Sequence, residues 1–110
     1  MGGFIKGDVV VVPFPFSDLT QSKRRPALVV ASLRGDDCIL CQITSRQLSD
    51  DYSISIEDSD FDEGALHQNS NVRPNRIFTA DRQIILYRAG RLKQDKISEI
   101  IDKTIEILRN

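Results

Sequence analysis

The chain has 110 residues, 40% of them apolar, with a formal net charge of −1 and a pI of about 5.8. That is enough chain and apolar content for one domain with its own core, and it excludes wholesale disorder. The slightly acidic balance excludes a generally basic nucleic-acid binder but leaves room for a local cationic site. Two cysteines, Cys38 and Cys41, give no disulfide framework. No apolar run approaches the roughly 20 residues of a membrane-spanning helix, and the N-terminus, MGGFIKGD, has no apolar leader core. A single cytoplasmic domain over residues 1–110, with no membrane partner, is the expectation.

Val9 to Val12 form a β-branched run behind Gly7 and Asp8 and predict a buried strand. Pro13 and Pro15 cannot donate to a sheet ladder, so the strand must end there or run on as an edge. Ser17 to Lys23 is a polar loop. Pro26, allowed at a strand's first position, opens a second strand over Ala27 to Ala31. Gly35-Asp36-Asp37 marks a turn, and Cys38 to Thr44 reads as a third strand in a hairpin with the second. Tyr52 to Glu57 alternates, with Tyr52, Ile54 and Ile56 on one face of a half-buried strand. Asp58 to Gly64 is acidic and breaks the pattern. Asn69 to Asn75 is polar, Ile77 to Thr79 reads as a short strand, and Gln83 to Tyr87 carries a weaker strand signal. Ile97, Ile100, Ile101, Thr104, Ile105 and Leu108 make one apolar stripe of a C-terminal helix, with Asp95 as N-cap and Arg109 at the negative end of the dipole. The whole predicts a mainly β fold, a small curled sheet or barrel with one helix packed on it.

Several groups invite chemistry. Cys38 and Cys41 spell C-x-x-C, but positions three apart on a strand face opposite ways, and one histidine cannot complete a zinc site. Both read as buried strand cysteines. His67, the only histidine, reads as an exposed loop residue. The acidic stretch Glu57 to Glu63 lacks the glycine-centred spacing of a calcium loop and reads as solvated. Lys23-Arg24-Arg25 is the densest positive charge. On charge alone it is a solvated basic loop. Arginine's planar fork also matches phosphate, and Arg25 precedes proline, which biases it to an extended backbone. Neighbours on such a backbone diverge, so Arg24 and Arg25 should serve different ends. If the second and third strands pair through the Gly35 turn, Arg25 approaches Thr44 and Ser45, with Arg46 beyond. A cation beside hydroxyls can bind a phosphodiester and stabilise extra charge on it.

These segments also occur in a familiar order: Gly7-Asp8-Val9-Val10-Val11-Val12, Arg24-Arg25-Pro26-Ala27-Leu28-Val29-Val30, Gln42-Ile43-Thr44-Ser45, Asn71-Val72-Arg73-Pro74, Arg76-Ile77-Phe78-Thr79 and the terminal helix. The set resembles the MazF/PemK toxin family, and the SDLTQSKRRP loop resembles its PemK-like branch. The resemblance implies an SH3-like, CcdB/MazF-type small barrel and a homodimer. It implies a sequence-specific endoribonuclease, an mRNA interferase, that cuts single-stranded RNA without metal or other cofactor. It implies an antitoxin protein as partner, with operator DNA bound only through the antitoxin complex. The family's arginine before the proline and its threonine ending the third strand match Arg25 and Thr44, which would serve cleavage. The implied chemistry is attack of the RNA 2′-OH on its adjacent phosphate, giving a 2′,3′-cyclic phosphate and a 5′-OH end. Arg25 would stabilise the phosphorane or move a proton, and Thr44 would position the phosphate. Lys23, Arg24, Ser45, Arg46, Arg73, Arg76 and Thr79 are the expected RNA-binding residues. Two rival functions stand beside this: a non-catalytic SH3-like module that binds RNA or protein, and a gyrase-targeting CcdB-like toxin. The latter acts through the end of its last helix, where Ile105 and Leu108 are here expected to pack.

Overall fold

The four valines at 9–12 are buried, so their backbone polar groups need strand partners on both sides. They find them in a seven-stranded antiparallel sheet, seen in a computed structural model that describes residues 3–15, 22–47 and 49–110. The strands are β1 (Asp8–Pro15), β2 (Ser22–Ser32), β3 (Asp37–Thr44), β4 (Ile54–Ile56), β5 (Phe61–Gly64), β6 (Ser70–Asp81) and β7 (Tyr87–Leu92), followed by helix α1 (Gln94–Arg109). Their spatial order is β4-β6-β3-β2-β1-β7-β5. The two edge strands, β4 and β5, are therefore consecutive in sequence, separated only by residues 57–60 with a 3-10 turn at Asp58–Asp60. Four residues reach about 14 Å at most, so the sheet must curl until its edges approach each other. The fold is a half-barrel with a C-terminal helix, its edges joined by the chain rather than by a ladder among the described residues.

Side-chain alternation divides the core into two clusters. Val9, Leu28, Cys41, Ile43 and Val72 pack with Ile97 and Ile100 of α1 on one face. Val10, Val12, Ala27, Val29, Leu40, Ala80 and Ile85 pack together on the other. The central strands are buried on both faces, which is why they read as continuous apolar runs rather than as alternation.

Gly7 and Asp8 tie these layers together. The Asp8 N–H donates to the Ile5 carbonyl at 3.0 Å, closing a turn with Gly7 at its third position and φ +99°. The Gly7 N–H donates to the Val29 carbonyl at 2.8 Å, and the Leu92 N–H donates to the Gly7 carbonyl at 3.0 Å. The Asp8 carboxylate is 3% exposed. It accepts from the Ile5 N–H at 2.9 Å and pairs with Arg91 Nε at 3.1 Å and Arg88 Nη1 at 3.7 Å. Arg88 also reaches Glu63 of β5 at 3.1 Å. One turn thus joins β1, β2, β7 and β5.

The elements differ from the sequence expectation in instructive ways. β1 runs on through Pro13 and Pro15, paired with β2, but β7 leaves it at Val11, so the prolines lie where that side is an edge. β2 begins at Ser22 rather than Pro26, because β1 supplies partners for the cations: Phe14 pairs with Lys23, Pro13 with Arg24 and Val12 with Arg25. The ladder to β3 starts only at Ala27, after the proline that has no N–H. The rest of the expected polar loop, residues 17–21, lies outside the described residues. The polar stretch 69–75 and the short strand after it are one strand, β6. The register shifts between Arg73, opposite Gln42, and Ile77, opposite Cys41, leaving Pro74 to Arg76 off the ladder. The acidic stretch contains β5, whose single buried apolar residue is Phe61. β7 covers Tyr87–Leu92, while Arg82–Ile84 forms a 3-10 turn. Tyr52 stays outside β4, its N–H held by Asp50 at 3.1 Å. The helix N-cap is Lys93, and Asp95 sits in the first turn. Ile105 and Leu108 do not pack as expected; they are 41% and 67% exposed.

A Cβ on Gly7 would lie 2.4 Å from Ile97 Cδ1, in a left-handed backbone, whereas Gly35, with φ +81°, has nothing within 4 Å. Gly7→Ala should therefore cost about 2–3 kcal/mol in urea unfolding and Gly35→Ala about 1 kcal/mol, the backbone strain alone. Equal losses would contradict the packing role of Gly7.

Candidate functional site

The β2–β3 ladder pairs Ala27 with Gln42. Arg25, two residues before Ala27, and Thr44, two residues after Gln42, lie beyond the end of that ladder on the same face. β6 extends both rows, with Asn71 opposite Thr44 and Arg73 opposite Gln42. Directly opposed residues share a face. Arg25, Thr44 and Asn71 thus form one row, and Ala27, Gln42 and Arg73 form the next row on that face. It is the face away from α1, because the helix packs on Cys41 and Ile43. Lys23, two residues before Arg25, shares it.

Each side chain is held differently. Thr44 is 7% exposed. Its Oγ1 accepts the Arg46 N–H at 3.1 Å, a local turn typical of threonine. Asn71 Nδ2 donates to the Arg46 carbonyl at 2.9 Å. The turn Thr44-Ser45-Arg46 is clamped at both ends, and the threonine hydroxyl keeps its proton to donate. Arg25 is half-buried, and its Nε is fully so. Arg73 is also half-buried, its Nε buried with no hydrogen-bond partner among the described residues. Its Nη2 lies 3.9 Å from Asp50 Oδ2. The other oxygen of Asp50 accepts the Ser53 N–H at 2.8 Å and the Tyr52 N–H at 3.1 Å. The backbone bond from Ser53, then that from Tyr52, holds the Asp50 carboxyl below the usual range, with Arg73 adding the least. A buried hydroxyl among guanidinium groups is an arrangement that can take a phosphate.

Not every expected residue joins this group. Lys23, Arg25, Thr44 and Arg73 share this face, and Ser45 and Arg46 follow Thr44 in the clamped turn. Arg24 alternates to the other face. Thr79 pairs with Ile39, five residues from Thr44 on β3, and so also faces the opposite way. Arg76 is exposed on the excursion beside Arg73. Sequence reasoning assigned no role to Asn71 or Asp50. Asn71 is recognisable only through the register; for Asp50, the Asp-Asp-Tyr-Ser string is an aspartate-turn signal.

The other chemical candidates fall outside the group. His67 is exposed, with φ +62°, and lines a polar cavity of about 360 Å3 with Glu57, Asp58 and Gln68. Among the described residues no three histidine, cysteine or acidic side chains are placed to hold a metal ion. Cys38 and Cys41 are free and lie in opposite core clusters. Burial pushes the Cys41 thiol up to about 11, with Thr104 partly offsetting. The unfolded thiol, at 9.0, gives up its proton first. The stabilisation is therefore complete below the unfolded value and is lost as pH rises through the folded one. Unfolding free energy should fall between about pH 8.5 and 11 and fall less in Cys41→Val; identical pH profiles would contradict the assignment.

A family model described as PemK-like, MazF-like toxin of type II toxin–antitoxin system matches residues 5–108. Compared by sequence with curated proteins, the chain matches none. Among solved structures it is similar to an endoribonuclease from a mycobacterial species in complex with its cognate antitoxin, with TM-score 0.77 and 14% identity over 96% of this chain and 95% of that one. It is similar to MazF from Deinococcus radiodurans, with TM-score 0.76 and 20% identity over 100% of both chains. A MazE–MazF complex from the same organism gives TM-score 0.75 and 20% identity over 96% and 95%. At these identities the structural likeness speaks for the fold.

Proposed function

The chain belongs to the PemK-like, MazF-like toxin family of type II toxin–antitoxin systems, and we propose that it is an endoribonuclease that cleaves single-stranded mRNA at the Arg25–Thr44 row. The reading is supported by the β2–β3–β6 register, which lines up Ala27, Gln42 and Arg73 and pairs Thr44 with Asn71, so that Arg25, two residues before Ala27, shares the face of Thr44 beside Arg73 and the clamped Ser45–Arg46 turn. The RNA supplies the nucleophile. The bond from O2′ to phosphorus forms as the bond from phosphorus to O5′ breaks, the 2′ proton passes to solvent, and O5′ takes one up. Products are a 2′,3′-cyclic phosphate and a 5′-OH end. Arg25 stabilises the doubly charged phosphorane with its guanidinium charge. Thr44 donates its hydroxyl proton to a phosphate oxygen. Lys23, Ser45, Arg46 and Arg73 bind the flanking backbone, and Arg76 contacts the strand from the β6 excursion. Arg24 and Thr79, on the opposite face, are the weaker members of the binding set.

The same reading makes the protein a single cytoplasmic domain, a homodimer, and the partner of an antitoxin through which alone it meets operator DNA. Support for the antitoxin comes from the family and from the complexes of similar fold. The gyrase reading loses one objection, since the end of α1 is exposed, but family membership favours RNA.

Purified protein should cut a long single-stranded RNA in the presence of EDTA and leave 2′,3′-cyclic phosphate ends, read by end-labelling and mass spectrometry. Arg25→Ala should lower kcat by about a hundred- to a thousand-fold, the usual loss for one charge-stabilising group. RNA left intact, or cut equally fast by the variant, overturns the mechanism.

A further inference from the structure

Arg73 lies on the same face as Thr44, a diagonal neighbour across the β3–β6 ladder, within reach of a phosphate bound there. Its present anion is Asp50, at 3.9 Å, well beyond the roughly 2.8 Å of a charge-assisted hydrogen bond. Arg73 Nε is buried and donates to nothing among the described residues. The guanidinium is therefore positioned but only partly satisfied. Asp50 is fixed by something else, the Tyr52 and Ser53 N–H groups on its other oxygen. It is an anion anchored in its own turn, near a cation it does not fully engage.

Resting on the RNA-cleaving function above, we propose that Asp50 sets RNA affinity at this subsite, as a fixed carboxylate that competes with RNA phosphate for Arg73. Backbone contact alone then holds an RNA strand weakly at this subsite, and binding relies more on contacts made elsewhere along the groove. The geometry argues against Asp50 being needed to position Arg73. The pair is too long for a strong hydrogen bond, and Arg73 is already anchored by its place in β6 opposite Gln42.

Asp50→Asn isolates the charge, because an asparagine side-chain oxygen can accept the same two backbone N–H groups and keep the turn. The probe is a 2′-O-methylated single-stranded oligoribonucleotide of mixed sequence, which lacks the attacking hydroxyl. Asp50→Asn should bind it about two- to fivefold tighter, the usual worth of one exposed charge pair. Affinity should also fall more steeply with salt, by about 0.7 in log–log slope for one added phosphate contact on a single strand. In cleavage of unmodified RNA, KM should fall by the same factor with kcat unchanged, as for an interaction equal in ground and transition states. The gain should vanish when Asp50→Asn is made together with Arg73→Gln. Equal or weaker binding by Asp50→Asn, or a gain that survives Arg73→Gln, overturns the proposal while leaving the function intact. Failure of the wild-type protein to bind the probe and to cut RNA overturns the function itself, and the role of Asp50 with it.

Discussion

The structure depends on one buried carboxylate. Asp8 opens the first strand at the point where the barrel must be tied across to β7, and it is nearly inaccessible to water. A charge in that position is tolerable only with partners, and breaking such a pair by removing one member costs about 3–5 kcal/mol. Arg91 and Arg88 supply the partners from β7, and Arg88 passes the connection on to Glu63 of β5. Gly7 beside it makes the complementary backbone ties to Val29 and Leu92, in a turn whose left-handed φ leaves room for Ile97 of α1. The sheet's curl, the docking of the helix and the position of β5 all pass through these two residues.

The curl has a consequence for chemistry. A flat seven-stranded sheet would spread its polar ends along an edge, whereas a half-barrel with short edge strands brings side chains from several strands to one face. Four adjacent strands contribute to the rows around Arg25: Val12, Arg25, Thr44 and Asn71 run from β1 to β6. Proline sets where the rows open. Pro26 ends the β2–β3 ladder at Ala27, and Pro74 begins the excursion that interrupts the β3–β6 ladder beside Gln42. Both prolines remove donors at places where the backbone ladder gives way to side-chain chemistry.

Charge segregation reconciles an acidic protein with a cationic face. Carboxylates concentrate in the 57–63 stretch and along α1, while Lys23, Arg25 and Arg73 share the face of Thr44 and Arg46 lies two residues beyond it. Local field, not net charge, governs what a groove attracts. Asp50 is the exception, a carboxylate placed within the cationic group and held there by its own turn.

The amino-acid sequence determined the parts whose signal is local. The valine run, the Gly35 hairpin, the third strand and the helix followed from β-branching, turn residues and the 3.6-residue period, and the cysteines' opposite faces from strand alternation. The antiparallel pairing of the second and third strands was legible too, because one hairpin fixes its own register. Tertiary structure alone decided the rest. β5 has one buried apolar residue and exists because β7 pairs with it. Lys23 to Arg25 are strand because β1 lies alongside. Arg24 and Thr79 fall away from the site by the parity of the ladder. Leu108 is exposed because the core does not extend beneath the last turn of α1. Asn71 and Asp50 acquire roles only through neighbours distant in sequence. Such outcomes depend on long-range pairing, and the identity of a residue's partner across a sheet is not written in its own neighbourhood of the chain.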